Sequence, residues 1–385
     1  MKILAFNAGS STLKFGLFDP DQNRVWMRGM LDHLGTDEAT CSIDEDCTRT
    51  TDSVGGMRLP DAVKHVLDRV GKPDGIGCRV VHGADQFDKA VLMTSDVVSA
   101  IRDLAPLAPL HNARDIDVIH SVQKLCPDRP LAAVFDTSFH RTMPQVAVRY
   151  AIPSEHAEER FVRRFGFHGI SYRFIVDRME EALGTQASRI VACHLGNGAS
   201  VCAILNGTSI DTSMGMTPLE GLVMGTRSGD IDPGAVLFLM REAKMTIKQV
   251  DDLLNHESGL LGLSRKSSDL REVEEAASQG DTDCEFALDA FAYRAAKYVG
   301  AYTVALGGLD ALVFSGGIGE HSREMRRRIC RRLGALGIDE PEDLTGRAVS
   351  TCLSGSRTPS IWVVRTDEER QIAVETLAVM TNTQS

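Results

Sequence analysis

Four residues of this chain carry charge or a titratable ring in places where their neighbours are small or apolar. Arg79 interrupts the apolar run Ile76 to Val81, just before His82 and Gly83. A guanidinium inside a strand needs a counter-charge, which either a structural ion pair or an anionic ligand at a cleft wall supplies. Arg227 sits between Thr226 and Ser228, again a cation among small groups. Asp136 ends the apolar run Leu131 to Phe135. Ligands gather at the carboxyl ends of strands in α/β proteins, so a carboxylate there is placed for catalysis or for a metal, with helix capping as the ordinary competitor. Gly166 and Gly169 bracket Phe167 and His168. A lone histidine is more often structural, but flanking glycines expose its ring.

Anion chemistry also needs backbone donors. Ile3 to Phe6 reads as a buried strand, Asn7 to Thr12 as a small polar turn, and Leu13, Phe15 and Leu17 as the alternating apolar positions of a returning strand. In the turn, Asn-Ala-Gly-Ser-Ser-Thr lets N–H groups approach an anion, with hydroxyls and Lys14 as further donors. Arg189 to Gly207 repeats the pattern: Ile190 to Cys193 as strand, His194 to Ala199 as glycine-rich turn, then Val201, Ala203 and Leu205. Aligned without gaps, Gly9 falls on Gly196 and Ala5 on Ala192. Two such hairpins predict a duplicated domain whose tips hold a polyphosphate from two sides.

The remaining elements must position these groups. Asp61 to Val70 has helical spacing, residues 20 to 60 read as sheet edge and loops, and Ala105 to Asn112 is a proline-punctuated helix entry. Asp211 to Pro233 holds four glycines and two prolines with isolated apolar residues, a long loop of the kind that usually carries function. Helices are expected over Ile247 to Leu254, Asp269 to Ala277 and Phe286 to Leu306, and a strand over Ala311 to Phe314. The glycine run after Ser315 is expected to let a ring or ribose approach, with a helix from Ser322 to Leu333 offering its N-terminus to phosphate. Ile361 to Val364 reads as a strand, and Thr366 with Glu369 as a capping box opening the last helix.

At 385 residues the chain favours two domains. Hydrophobic and charged fractions of 43% and 25% are ordinary for a globular protein. A net charge of -11 argues against nucleic acid and membrane surfaces as partners, so an anionic ligand must be held locally by donors, arginines and a divalent cation. Neither a leader pattern nor an apolar run of spanning length is present, and nine cysteines without a CxxC pair read as reduced and structural. The expected location is cytoplasmic.

No P-loop pattern exists and neither glycine cluster completes GxGxxG. Instead NAGSSTLK from Asn7, RVVHG from Arg79, FDTSFH from Phe135, FGFHGIS from Phe165, HLGNGAS from His194, the whole of Asp211 to Pro233, FSGGIGE from Phe314 and TDEE from Thr366 resemble the acetate kinase family in order and spacing. The resemblance covers essentially the whole chain. It implies the α/β fold of the acetate and sugar kinase, Hsc70 and actin superfamily: two duplicated ribonuclease-H-like domains with ATP in an interdomain cleft. Expected boundaries are 1–146 plus 370–385 for an acyl-side domain and 147–369 for a nucleotide-binding domain.

The same resemblance assigns site residues. Arg79 and Arg227 match the arginines that hold carboxylate and transferring phosphoryl, Asp136 and Glu368 the catalytic and magnesium-associated acids, and His168 the transition-state histidine. Asn7, Ser10, Thr12 and Lys14 match the first phosphate loop, with Asn7 also beside the metal, and Thr12 stands where serine is usual. His194, Leu195, Gly196, Asn197 and Gly198 match the second phosphate loop. Asp269, Leu270 and Arg271, with Gly317, Ile318, Gly319 and Glu320, match the nucleoside side. Val81, Leu110, Phe167 and Pro218 match the apolar pocket for the acyl methyl. Departures are Cys78 and Tyr172 at positions where histidine is common, Asp85 for glutamate and His321 for asparagine.

The implied reaction is reversible transfer from ATP to acetate, giving ADP and acetyl phosphate, with Mg²⁺ (or Mn²⁺) and a homodimeric enzyme. The acceptor carboxylate is already ionised at neutral pH, so His168 is a donor to phosphoryl oxygens and not a base. Glu369 is taken up by the capping box, which leaves Glu368 for the metal. Alternatives are a propionate or butyrate kinase on the same scaffold, since one methylene is weakly discriminated, and an actin- or Hsc70-like ATP-binding module. The set Arg79, Arg227 and Asp136 has no use in the last.

Overall fold

The computed structural model describes residues 1–46, 48–107, 109–158, 162–184, 188–340, 349–354 and 359–382. The chain forms two compact units: Met1–Arg141 with Gly169–Phe174 and Asp367–Ser385, and Thr142–His168 with Ile175–Thr366. Each is a mixed α/β body built on one sheet.

The first unit has strands β1 (Ile3–Ala8), β2 (Leu13–Asp19), β3 (Arg24–Asp32), β4 (Thr40–Glu45), β5 (Thr48–Ser53), β6 (Gly75–Val80), β7 (Val91–Leu92) and β8 (Leu131–Phe135), in the order β5-β4-β3-β2-β1-β6-β8-β7. β1 to β5 form an antiparallel meander, while β6 runs parallel to both β1 and β8. Every residue of β1 and β8 is buried, as expected of central strands with both faces covered. At the other extreme the edge strand β5, TRTTDS, is exposed throughout and polar. The helix Glu368–Asn382 lies on β1, β6 and β8, burying Ile372, Ala373, Leu377 and Met380. A Cβ at Gly77 would strike Thr376 and Ile372, so this close approach requires glycine in β6.

The second unit has β9 (Arg189–Leu195), β10 (Ala199–Leu205), β11 (Thr208–Thr212), β12 (Ala311–Ser315), β13 (Ser350–Cys352) and β14 (Ser360–Val364), in the order β11-β10-β9-β12-β14-β13. β9 to β11 are antiparallel, β12 is parallel to β9 and β14, and β13 is an antiparallel edge. Strand for strand this repeats β3-β2-β1-β6-β8-β7, directions included. The duplicated architecture expected from the two hairpins is present. Both turns are tighter than the sequence pattern indicates, because β1 runs on through Ala8 and β9 through Leu195.

Helix expectations hold within a turn: Leu59–Val70, Ile247–His256, Leu270–Ser278 capped by Asp269, and Thr282–Ala305. The glycine run does not. Gly316–His321 is itself helical, and Ser322 caps the next helix, Arg323–Cys330. Gly316 takes a positive φ of 75° against the Leu195 carbonyl, where a Cβ would clash, and opens this short helix.

Candidate active site

In the first unit, Arg79 leaves β6 with 16% of its side chain exposed and donates to Asp136 Oδ2 at 2.8 Å and to the Ala8 carbonyl at 3.2 Å. Both readings of this arginine therefore meet: it has a structural partner, and that partner is the expected catalytic acid. Burial works against the guanidinium charge, but Asp136, Glu368 and Asp115 together hold its pKa above the ordinary arginine value. Asp136 is 1% exposed, and its Oδ1, like Arg79 Nε, has no hydrogen-bond partner among the described residues. A carboxylate oxygen buried in that way is costly unless a ligand completes it.

Behind this pair the helix Pro109–Leu125 turns its buried stripe, Asn112, Asp115, Ile116 and Ile119, toward the chain after β6. Asp115 Oδ2 accepts the Val81 N–H at 2.8 Å, and Asn112 accepts from the His82 N–H and donates to its carbonyl. Burial pushes the Asp115 carboxyl up to about 7, against lowering by Arg79 and the Val81 bond. Asp115 is not among the residues expected from sequence. Its signal is legible there as two polar residues at core positions of an amphipathic helix. Val81 is buried beside it, whereas the Leu110 side chain lies outside the described residues.

Asn7 is 6% exposed and its amide donates at 2.8 Å to both Glu368 Oε2 and Glu369 Oε1. This corrects the capping box. Asp367 accepts the Arg370 N–H and caps the last helix, while the Thr366 N–H goes to Glu320. Glu369 is thus not spent on a cap, and burial raises its pKa, opposed by Lys14. Ser10 and Lys14 are exposed at the hairpin tip and Thr12 is partly so, with Thr12 Oγ1 close over Gly9. Cys78 is buried, and burial pushes its thiol up, which makes it inert. Tyr172 is fully buried against Phe139 and His140.

In the second unit, His168 takes a left-handed conformation, φ 59° and ψ 23°, before the helix Gly169–Leu183. A non-glycine residue there is held by its surroundings. Its Nδ1 lies 2.8 Å from the buried Ser200 hydroxyl and its ring stacks on His194 with centroids 4.2 Å apart. Arg227 donates to the Pro218 carbonyl at 3.0 Å. A Cβ placed on Gly198 would sit 3.5 Å from His168 Nε2 and 3.6 Å from Arg227 Nη1, so the ring and the guanidinium converge on this glycine. Phe167 is buried and Pro218 partly exposed in the same unit.

A cavity of about 630 Å³ is lined by Gly196, Asn197, Ser268, Asp269, Leu270, Arg271, Glu274, Gly317, Ile318, His321 and Ser322. That volume suits a nucleoside. Gly319 packs against Phe314, and the Glu320 carboxylate accepts the N–H groups of Gly316 and Thr366, so neither lines it. His194 and Leu195 lie buried in β9 beside it and not on its wall. Ser268, Glu274 and Ser322 join the wall without having been expected there. Glu274 falls one helical turn beyond Leu270 and bonds Ser322, a pairing no local pattern indicates.

The Acetokinase family model matches residues 2–374. The chain belongs to the acetokinase family. It is 43% identical to acetate kinase of Halothermothrix orenii over 397 residues, covering 99% of this chain and 100% of that one. Against acetate kinase of Bacillus subtilis identity is 41%, with 97% and 98% covered. Among solved structures, a propionate kinase from Francisella tularensis superposes with a TM-score of 0.91 at 35% identity, covering 98% of this chain and 99% of that one. Acetate kinase from Porphyromonas gingivalis gives 0.89 at 36% identity over the same shares.

Acetate kinases use ATP and a divalent metal, and the donor set here suits a hard cation. Asn7, Glu368, Glu369 and the unpartnered Asp136 oxygen offer oxygen ligands only. Among the described residues no three His, Cys, Asp or Glu side chains form a ready cage. A cation that keeps its waters and leans on substrate phosphates fits such a sparse set.

Proposed function

We propose that this protein transfers the γ-phosphoryl of ATP directly and reversibly to acetate, forming acetyl phosphate and ADP. The observation that carries this reading is the Arg79–Asp136 pair with its unpartnered carboxylate oxygen, in a chain related along its full length to acetate kinases. An ATP-binding module without an anionic acceptor has no use for the set Arg79, Arg227 and Asp136.

In-line transfer spreads negative charge over phosphoryl oxygens, so positioning and cations supply most of the rate enhancement. Arg79 holds the acceptor carboxylate, Arg227 the transferring group, and His168 Nε2 donates to an equatorial oxygen. Asp136 orients Arg79 and helps hold the metal. Gly196 to Gly198 with Ser10, Thr12 and Lys14 take the phosphates. Asp269 to Arg271, with Gly317 and Ile318, take the nucleoside. The acetate methyl is assigned to Val81, Phe167 and Pro218. Asn7, Glu368 and Asp136 would hold Mg²⁺, which would supply charge neutralisation at the phosphates.

The enzyme is further proposed to be cytoplasmic and homodimeric. No described helix is long and apolar enough to cross a membrane. The helix Pro233–Arg241 buries none of its residues, and Leu237 and Phe238 are each 56% exposed, an apolar surface suited to a second copy. A propionate preference is the second reading, favoured by the superposition on a propionate kinase. Trapping acyl phosphate as hydroxamate, with ATP, Mg²⁺ and a panel of acids, decides. Acetyl hydroxamate at the highest kcat/KM is expected, and no product from any acid removes the proposal.

A further inference from the structure

We propose that Arg164, Glu220 and Tyr150 form a positioning clamp that sets acyl-chain selectivity by holding the segment carrying Phe167 and His168 against the loop carrying Pro218 and Arg227. This rests on the reading above that Phe167 and Pro218 line the acyl pocket. Arg164 Nη1 donates to three successive carbonyls, Thr212 at 2.9 Å, Ser213 at 3.2 Å and Met214 at 3.0 Å. Its Nη2 donates to Glu220 Oε1 at 2.5 Å. The other Glu220 oxygen accepts from the Tyr150 hydroxyl, which in turn accepts the Met216 N–H at 3.0 Å. The N–H groups of Phe165 and Gly166 both reach the Gly215 carbonyl.

The consequence is two chain segments locked on either side of one guanidinium. Arg164 is 15% exposed and Glu220 32%, so the pair is partly shielded from water. Four acceptors around one cation match the planar fork of arginine, and a lysine ammonium cannot reach them together. Burial first, then the Glu220 bond, hold the Tyr150 phenol above its ordinary range. A Cβ on Gly215 would strike Glu220 and Tyr150, which leaves no slack in the loop. Three residues after Arg164 comes Phe167, and two before Glu220 comes Pro218. The clamp's bonds go to main-chain groups and to its own members, so it acts through the loop and not on substrate.

Discrimination against one extra methylene depends on walls that do not yield, because the gain at stake is about 10-fold or somewhat more. Loosening the clamp should therefore relax selectivity before it affects nucleotide binding. Full-length Arg164→Lys, Glu220→Gln and Tyr150→Phe are compared with wild type for kcat and KM on acetate, propionate and ATP. The expected result is an acetate-to-propionate kcat/KM ratio reduced by about fivefold to tenfold, with the ATP KM within about twofold. Pro218→Ala is the reference variant, and its ratio must also move. Clamp ratios that stay constant while the Pro218→Ala ratio moves overturn the clamp and leave the pocket standing. A constant Pro218→Ala ratio overturns the pocket reading and the clamp's route with it. Equal loss of rate on both acids marks the three residues as structural and also overturns the proposal. Should Arg164→Lys fail to fold, the same comparison is made with Tyr150→Phe, which removes one oxygen, and with Glu220→Gln.

Discussion

The groups assigned to the site are held by different physics in the two units. In the first unit the groups are held on carboxylates: Arg79 on Asp136, the Asn7 amide on Glu368 and Glu369, and the Val81 N–H on Asp115. In the second unit the functional side chains rest on main chain and rings: Arg227 on the Pro218 carbonyl, His168 on Ser200 and His194, both set at Gly198. A charge-held cluster answers to pH and to changes of charge. A backbone-held one answers to loop geometry. The same strand order carries both, so the difference lies in side chains and loops and not in the fold.

The sharpest break is expected at Arg227. Arg227→Ala should lower kcat by about 10³-fold while the ADP affinity stays near wild type, because the side chain acts on the transferring group. Near-normal kcat in steady-state assays removes it from the mechanism. In the first unit the metal requirement should separate the two acids next to Asn7. Glu368→Gln is expected to raise the Mg²⁺ concentration needed for half-maximal rate by at least about 10-fold. With the capping box gone, Glu369→Gln is the informative control, and a larger effect there reverses the assignment.

Smaller effects follow for the pocket. Val81→Ala should shift kcat/KM toward propionate on the order of tenfold, since a methylene contributes about 1 kcal/mol and the arginine contacts cancel between the acids. An unchanged ratio takes Val81 out of the pocket. The smallest effect tests the charge-held half through stability. Burial pushes the Asp115 carboxyl up to about 7 from the ordinary 3.8, so between those values the folded state holds a proton that the unfolded chain has lost. Stability from this group therefore falls as pH rises through that window. Asp115→Asn keeps an acceptor for the Val81 N–H and should raise Tm at pH 8 while changing it little at pH 5. Equal shifts at both pH values contradict the assignment.

Much of this is legible in the sequence because it is written locally. The two hairpins betray the duplication, and Asp136 at a strand end and Arg227 in a glycine-rich loop stand out by context. What escapes depends on distant partners. Glu369 satisfies every local rule for a capping box, yet its carboxylate goes to Asn7, 362 residues away in sequence. The run from Gly316 reads as an open turn, but Gly316–His321 is a short helix. Arg164 looks like one basic residue among several, and the carbonyls it binds lie 48 to 50 residues further on. No periodicity records such a choice.

Central to the proposed mechanism is that these groups act on one phosphoryl in a single direct transfer. Its most direct test is the stereochemistry at phosphorus with ATP made chiral at the γ-position by oxygen isotopes. One in-line displacement by acetate inverts the configuration, and inversion in the acetyl phosphate formed is the predicted result. Retention would require an even number of displacements through a phosphorylated side chain, which contradicts direct transfer.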